Sequence, residues 1–370
     1  MKRILIANDL LKGGGVENVL ENMVRYLIKQ GNEVTLLIPE ASDYEVKELF
    51  GNNITLYPSL RRLEDLPRFS LKWFFDRGIY VFQKLFFKFR LSLKNYDVVL
   101  ALKEGPTMKE LSGIYAKHKL AWIHTDYNYC HWTDYLFITD NSERKCMQKY
   151  EKVICVSKAA KDSVINTIGD PGNLCVKYNP IDTDRIDRLS VQNLGENKGN
   201  KFLFVSVGRM VEQKNYKLLL EACSRLEKKY DFEVWILGDG PEHAELEEMI
   251  IEKSITSVKL LGNQDNPYPF IKAADTYVST SITESYGLAI QEALILKIPV
   301  IAVECPAIKE VFDLKYGFLI DNDITALCGA MEKMMLHPDL RNEFKTYIEQ
   351  NYDTEGLYEK RIKDICDLWE

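Results

Sequence analysis

No run in this sequence approaches the roughly 18 uncharged apolar residues that a membrane-spanning helix requires. The 370-residue chain is instead 46% hydrophobic and 28% charged, the balance of a folded aqueous protein. An excess of positive charge is also missing. The formal net charge of −7 argues against a general nucleic-acid binder. The eight cysteines form no CxxC pair, and several, such as Cys155 and Cys175, fall in apolar strand-like runs. Reduced core thiols are therefore expected rather than disulfides or a zinc site. Neither a P-loop, nor HExxH, nor GxSxG occurs, which removes the commonest signatures of NTPases, zinc proteases and serine hydrolases. The chain opens directly into a strand-like run with no signal-peptide pattern ahead of it, so a cytoplasmic protein is expected.

What is present is a strand–helix alternation that occurs twice. The first half reads as strands Lys2 to Ala7, Glu33 to Ile38, Ile54 to Tyr57, Asp97 to Ala101, Leu120 to His124, Lys152 to Val156 and Leu174 to Tyr178. A polar stretch, residues 179–200, then reads as a linker. The second half restarts with Phe202 to Val207, Glu233 to Leu237, Val258 to Leu261, Thr276 to Thr280, Val300 to Val303 and Gly317 to Ile320. Helices are expected from Tyr216, Pro241, Pro267 and Gly287. Continuous apolar strands separated by helices predict parallel sheets covered on both faces, wound right-handedly. The fold class is therefore α/β, with two doubly wound Rossmann-like domains facing across a cleft, 1–178 and 201–351. A C-terminal helix at about 352–370 is expected to pack back on the first domain.

The run SITESYGLAIQEALILKIPVIAV carries the most chemistry. Glu284 sits in a polar turn after an apolar strand, at the sheet edge where open α/β folds bind ligands. Glu292 lies about one turn into the following helix, roughly 7 Å along its axis. Between them the Gly287–Leu288 helix start offers free N–H groups and a positive dipole to an anion. Two carboxylates suited to hydroxyls thus flank a cradle suited to phosphate. The strand Phe202 to Val207 ends in Gly208-Arg209, with Lys214 and a candidate N-cap, Asn215, just beyond. A guanidinium can grip phosphate oxygens bidentately while an ammonium acts as a point charge.

In the first half, Gly13-Gly14-Gly15 opens a helix and reads either as a tight turn or as an anion loop. His124, one of only five histidines, ends a buried-looking strand and is expected at a sheet edge, with function favoured over core packing. His131 has no comparable placement. Two Asp-x-Asp triplets, Asp182-Thr183-Asp184 and Asp321-Asn322-Asp323, read as solvated acids, and no metal site is expected. From Arg61 to Lys94 there are nine Lys/Arg, three acids and nine aromatics. This suits either an anionic membrane surface or a buried helix pair with snorkelling lysines.

Taken together, GGGVE at Gly13, the IHTD strand end, VSKAAKD, NPID, GRMVEQKNYKLLLEA, ILGDGPE, LLGNQDNPYPFIKAADTYVSTS and the Glu284/Glu292 segment resemble the retaining glycosyltransferases of family 4. These have the GT-B architecture and include capsule, exopolysaccharide and lipopolysaccharide enzymes. The motifs occur in the family's order over nearly the whole chain. The resemblance implies that Arg209, Lys214, Gly287 and Leu288 hold a donor diphosphate, and that Glu284 contacts the donor sugar. It further implies that Glu292 holds the ribose, Gly262 and Asn263 meet the base, His124 lies by the transferred sugar, and Gly14 and Gly15 line a phosphate or acceptor loop. Two departures stand out: Ser285 and Lys297 occupy positions where the family usually has glycine.

The expected activity is transfer of a sugar from a nucleotide sugar, UDP-linked by preference, to a glycan or polyprenyl-linked acceptor, with retention and without a metal. The nucleotide sugar is a substrate, so no cofactor is expected, and no nucleic acid is an expected partner. On the membrane-surface reading, Arg61 to Lys94 would dock the enzyme at the inner face of the membrane, and on the other reading they pack in the core. The competing readings are a nucleotide-sugar epimerase on the same fold and a non-catalytic subunit of another transferase.

Overall fold

The structure, a computed structural model, describes residues 1–11, 14–38, 41–52, 54–56, 89, 91, 93–137, 139–196 and 198–370. The chain divides into two units, Met1–Ile181 with Tyr358–Glu370, and Asp182–Leu357.

Unit 1 holds a parallel sheet of seven strands: β1 (Arg3–Ala7), β2 (Glu33–Leu37), β3 (Ile54–Leu56), β4 (Val98–Ala101), β5 (His118–Ile123), β6 (Lys152–Cys155) and β7 (Leu174–Val176). Their order is β3-β2-β1-β4-β5-β6-β7. Central strands such as ILIA and VVLA lack polar alternation because both faces are covered, and Ile4, Leu5, Ile6, Val98, Val99 and Leu100 are all buried. The helix Gly15–Lys29 covers one face through Val19, Leu20, Met23, Val24 and Leu27, spaced by three and four. Glu17 in its first turn and Lys29 in its last complement the dipole.

Unit 2 repeats the plan with β8 (Phe202–Val207), β9 (Phe232–Leu237), β10 (Val258–Leu260), β11 (Thr276–Ser279), β12 (Val300–Val303) and β13 (Gly317–Ile320), in the order β10-β9-β8-β11-β12-β13. One cluster of buried residues joins β8, β9 and β12 to the helices Tyr216–Leu226 and Ile324–Leu336 through Phe204, Leu219, Cys223, Ile236, Ile301 and Met331. In each unit the first strand is central, with the next two strands on one side and the fourth on the other. The direction of winding reverses at β1/β4 and at β8/β11, and loops leaving the C-terminal ends of those strands frame a crevice.

Three expectations meet the structure differently. Residues 179–200 are not simply a linker, since a helix, Thr183–Ser190, forms there within unit 2. The Asp182 carboxylate caps it by accepting from the Arg185 N–H at 2.9 Å, and Ile186 is buried. Its polar composition concealed a single narrow apolar stripe. The C-terminal piece that joins unit 1 starts at Tyr358 and carries the helix Glu359–Cys366. The basic, aromatic segment 61–94 lies outside the described residues except for Phe89, Leu91, Leu93 and Lys94, of which Leu91 is buried while Phe89 and Leu93 are exposed. Among the described residues no helix is long and apolar enough to cross a membrane.

Candidate functional site

The C-terminal edge of the unit 2 sheet is built by crowding. After β8 and β9 the backbones of Gly208 and Gly238 press together, and a Cβ on Gly238 would lie 2.1 Å from the Gly208 carbonyl oxygen. Gly238 also has φ of +129°, which side chains rarely adopt. Its N–H donates to Gly262 O after β10 at 2.8 Å, while Met210 N donates to Asp239 O at 2.9 Å. Arg209 is thereby carried to the rim, where it is exposed.

The 3-10 turn Glu212–Lys214 is stitched to the loop after β11. Thr280 Oγ1 donates to Lys214 O at 2.8 Å, Ile282 N to Gln213 O at 2.8 Å, and Gln213 Nε2 to Thr283 O at 2.9 Å. The stitch brings Lys214 Nζ to 2.6 Å from Glu284 Oε1, and the same oxygen accepts from Ser281 Oγ at 2.7 Å. The two charged side chains are 21% and 14% exposed, so the pair is shielded without being cut off from solvent. The family resemblance assigns Lys214 to a donor's diphosphate and Glu284 to its sugar. In the structure they hold each other.

The helix Leu288–Ile295 begins at Gly287, whose φ of +71° is left-handed and whose missing side chain makes room for Ile308 Cδ1, 2.5 Å from where a Cβ would stand. No side chain caps this N-terminus, so its first N–H groups and dipole face the crevice edge. Within the helix, Glu292 accepts from the Tyr268 hydroxyl at 3.2 Å. Burial pushes its carboxyl up to about 7, while the Tyr268 hydrogen bond and the charge of Arg185 act in the opposite direction. Tyr268 and Arg185 escaped the sequence reading. Arg185 sat in the presumed linker, and Tyr268 is one of many tyrosines. Gly262, with φ of +66°, and the exposed Asn263 lie beyond β10 on the same sheet edge.

Other candidates resolve structurally. Asn215 takes a left-handed conformation and makes no side-chain cap. Its amide donates instead to Asn322 Oδ1 at 3.0 Å. Asp182 and Asp323 are helix N-caps, Asp323 accepting from Thr325 N at 2.7 Å and Ala326 N at 2.9 Å.

At the corresponding edge of unit 1, His124 follows β5 and stacks on Trp122 with ring centroids 5.3 Å apart. Burial lowers its pKa to about 4, against the raising effects of Glu104 and a backbone hydrogen bond at Leu102. The ring is neutral at pH 7, and among the described residues its buried Nε2 has no partner. Glu104, fully buried after β4 and missed from sequence, accepts from His124 N at 2.9 Å, from Trp132 Nε1 at 3.0 Å and from Thr125 Oγ1. His131 serves packing: its Nε2 is 2.7 Å from buried Glu143, which also accepts from Tyr127 and Thr133. Gly14 is the extended N-cap of the Gly15–Lys29 helix, and a Cβ there would meet Glu17 Oε2 at 3.1 Å. Among the described residues no group of three or more His, Cys, Asp or Glu side chains is gathered to share a metal ion.

Comparison with known proteins adds a second line of observation. A family model described as Glycosyltransferase Family 4 matches residues 13–185, and one described as Glycosyl transferases group 1 matches residues 190–351. An uncharacterized glycosyltransferase of Methanocaldococcus jannaschii is 27% identical over 223 residues, 59% of this chain and 50% of that protein. The N-acetylgalactosamine-N,N'-diacetylbacillosaminyl-diphospho-undecaprenol 4-alpha-N-acetylgalactosaminyltransferase of Campylobacter jejuni is 31% identical over 191 residues, 50% of each chain. The matched regions thus span about half the length of these two relatives. The crystal structure of Anabaena HepE in complex with UDP and glucose is similar with a TM-score of 0.75 at 17% identity, covering 99% of this chain and 100% of that one, a likeness of fold.

Proposed function

The chain belongs to family 4 of the glycosyltransferases and has the GT-B fold, and from that premise we propose that it transfers a sugar from a nucleoside diphosphate to a saccharide or lipid-linked saccharide acceptor. The observation that carries this reading is the convergence, on one sheet edge of unit 2, of Arg209, Lys214, Glu284, the uncapped Leu288–Ile295 helix and Glu292. Cations and a helix N-terminus suit the diphosphate, and carboxylates suit sugar and ribose hydroxyls. The names of the relatives support a UDP-sugar donor and a polyprenyl-linked acceptor.

The chemistry follows from where charge develops. Cleaving the bond between the anomeric carbon and the phosphate oxygen puts negative charge on the leaving diphosphate and positive charge on the sugar. Arg209, Lys214 and the helix dipole stabilise the former without requiring a metal. The Glu284 carboxylate is already engaged by Lys214 and Ser281, which suits it to orient hydroxyls rather than attack carbon. Retention then proceeds on the front face. The acceptor oxygen bonds to the anomeric carbon as the phosphate oxygen departs, and the acceptor proton passes to that leaving oxygen.

The test is acceptor-dependent release of nucleoside diphosphate, measured for the parent protein and for Arg209→Ala. Loss of one charge-assisted contact, about 1.5–3 kcal/mol, should lower kcat/KM by about 10- to 100-fold with an unchanged melting temperature. Release that needs no acceptor, or an Arg209→Ala protein with full activity, would remove this assignment.

A further inference from the structure

Glu284 Oε1 is a shared point, with Lys214 Nζ at 2.6 Å and Ser281 Oγ at 2.7 Å. Both side chains of the pair are fixed at their roots. The Lys214 carbonyl is held by Thr280 Oγ1, and the stem lies over Gly208, where even a Cβ would be 3.1 Å from Lys214 Cε. Glu284 is held by Ser281 on its own loop. Lys214 is therefore already paired with a carboxylate, while Arg209 on the rim is exposed.

A diphosphate that recruits Lys214 must take it from Glu284. A carboxylate losing its cation in a partly shielded place is costly unless other donors replace it. A donor molecule brings such replacements, because its sugar carries hydroxyls. The nucleoside diphosphate left after transfer has lost those hydroxyls and keeps only the ribose ones, which the same reading gives to Glu292.

We propose that Glu284 makes the site discriminate between nucleotide sugar and nucleoside diphosphate, recapturing Lys214 once the sugar has gone and so weakening the hold on the product. This rests on the assignment of the unit 2 edge as the donor site, and it deepens that assignment. Glu284 contributes to binding in opposite directions before and after transfer. With the sugar present it is a ligand for hydroxyls, and without it the carboxylate competes with the phosphates for one ammonium. No covalent step is involved.

The experiment is calorimetric titration of the full chain with UDP, GDP and inorganic pyrophosphate. Glu284→Gln keeps the shape and removes the charge, so it should bind UDP or GDP on the order of tenfold tighter than the parent protein, with pyrophosphate shifted the same way. Product inhibition should deepen by the same factor. Lys214→Ala should bind more weakly than the parent, and adding Glu284→Gln to Lys214→Ala should change nothing further, because the competition needs the ammonium. Should Glu284→Gln fail to fold, Glu284→Asp, a methylene shorter, reads the same loss of contact and should also tighten binding. Equal or weaker nucleotide binding by the substituted protein overturns the proposal. So does a gain that persists without Lys214, which would mean simple repulsion between Glu284 and the phosphates. A parent protein that binds none of the three ligands overturns the donor-site assignment itself.

Discussion

At the scale of single residues, the titratable groups at the two sheet edges are shifted in opposite senses of charge but to the same effect. Burial disfavours the charged form of both, lowering His124 to about 4 and raising Glu292 to about 7. For Glu292 this has a stability consequence. Its ordinary value is 4.5, so between 4.5 and about 7 the folded protein keeps a proton that the unfolded chain has released. Stability is then lost as pH rises through that window, and the full penalty applies above it. The shift corresponds to on the order of 3 kcal/mol. Glu292→Gln should accordingly unfold at higher denaturant than the parent protein at pH 8, with the difference vanishing towards pH 4.5, while its affinity for a nucleoside diphosphate drops. Denaturant unfolding at both pH values measures this. A difference that is constant with pH would mean the carboxyl titrates normally. The inference is that a hydroxyl-binding carboxylate has been retained at the expense of stability.

At the scale of elements, the helix that carries Glu292 ends in a motif built for glycine. Lys297 N donates to Leu294 O at 3.0 Å and Ile298 N to Ala293 O at 2.9 Å, the paired bonds of a Schellman cap. The C′ position of that cap is left-handed, and Lys297 occupies it with φ of +64°. This is the position where the family usually has glycine, and the lysine is strained there whatever its charge gives to the helix dipole. Lys297→Gly should stabilise unit 2 by about 1 kcal/mol, raising Tm by roughly 2–4 °C with unchanged kinetics. A lower Tm would show that the lysine's contact with the helix end outweighs its backbone strain. The loop after β5 is fixed by a different device, two buried carboxylates, Glu104 and Glu143, each taking several donors from it. That arrangement keeps His124 in place without a regular element to carry it.

At the scale of the molecule, the chain returns to its first unit after completing the second. Residues 358–370 add buried Ile362, Ile365 and Trp369 to unit 1, and the Trp369 carbonyl accepts from Lys2 Nζ at 3.0 Å. Tyr358 reaches Asn22 O at 3.2 Å, and Arg361 reaches Asn179 O at 2.8 Å. Each fully buried large apolar side chain is worth about 1.5–3 kcal/mol, so removing all three takes much of a typical domain's margin. Ending the chain at Leu357 should therefore cost β1 its amide protection in hydrogen exchange, while β8 in unit 2 keeps its own. Unchanged protection of β1 would mean that this segment rests on unit 1 without stabilising it.

The sequence by itself determined the two strand–helix repeats and nearly every strand, because a parallel strand covered on both faces is a continuous apolar run bounded by turns. It also determined which side chains stand at the sheet edges, since Gly208-Arg209, His124 and Glu284 each follow such a run directly. Contacts between distant positions were decided only by the tertiary structure. The Lys214–Glu284 pair spans 70 residues and depends on a loop stitched to a turn. Glu104 and Tyr268 look in sequence like any surface acid and any tyrosine, and they acquire their roles from what folds against them. The helix at 183–190 was hidden for the same reason. Its one apolar stripe has meaning only against the helix Tyr268–Ala273, and periodicity read along a chain carries no record of which partner will cover it.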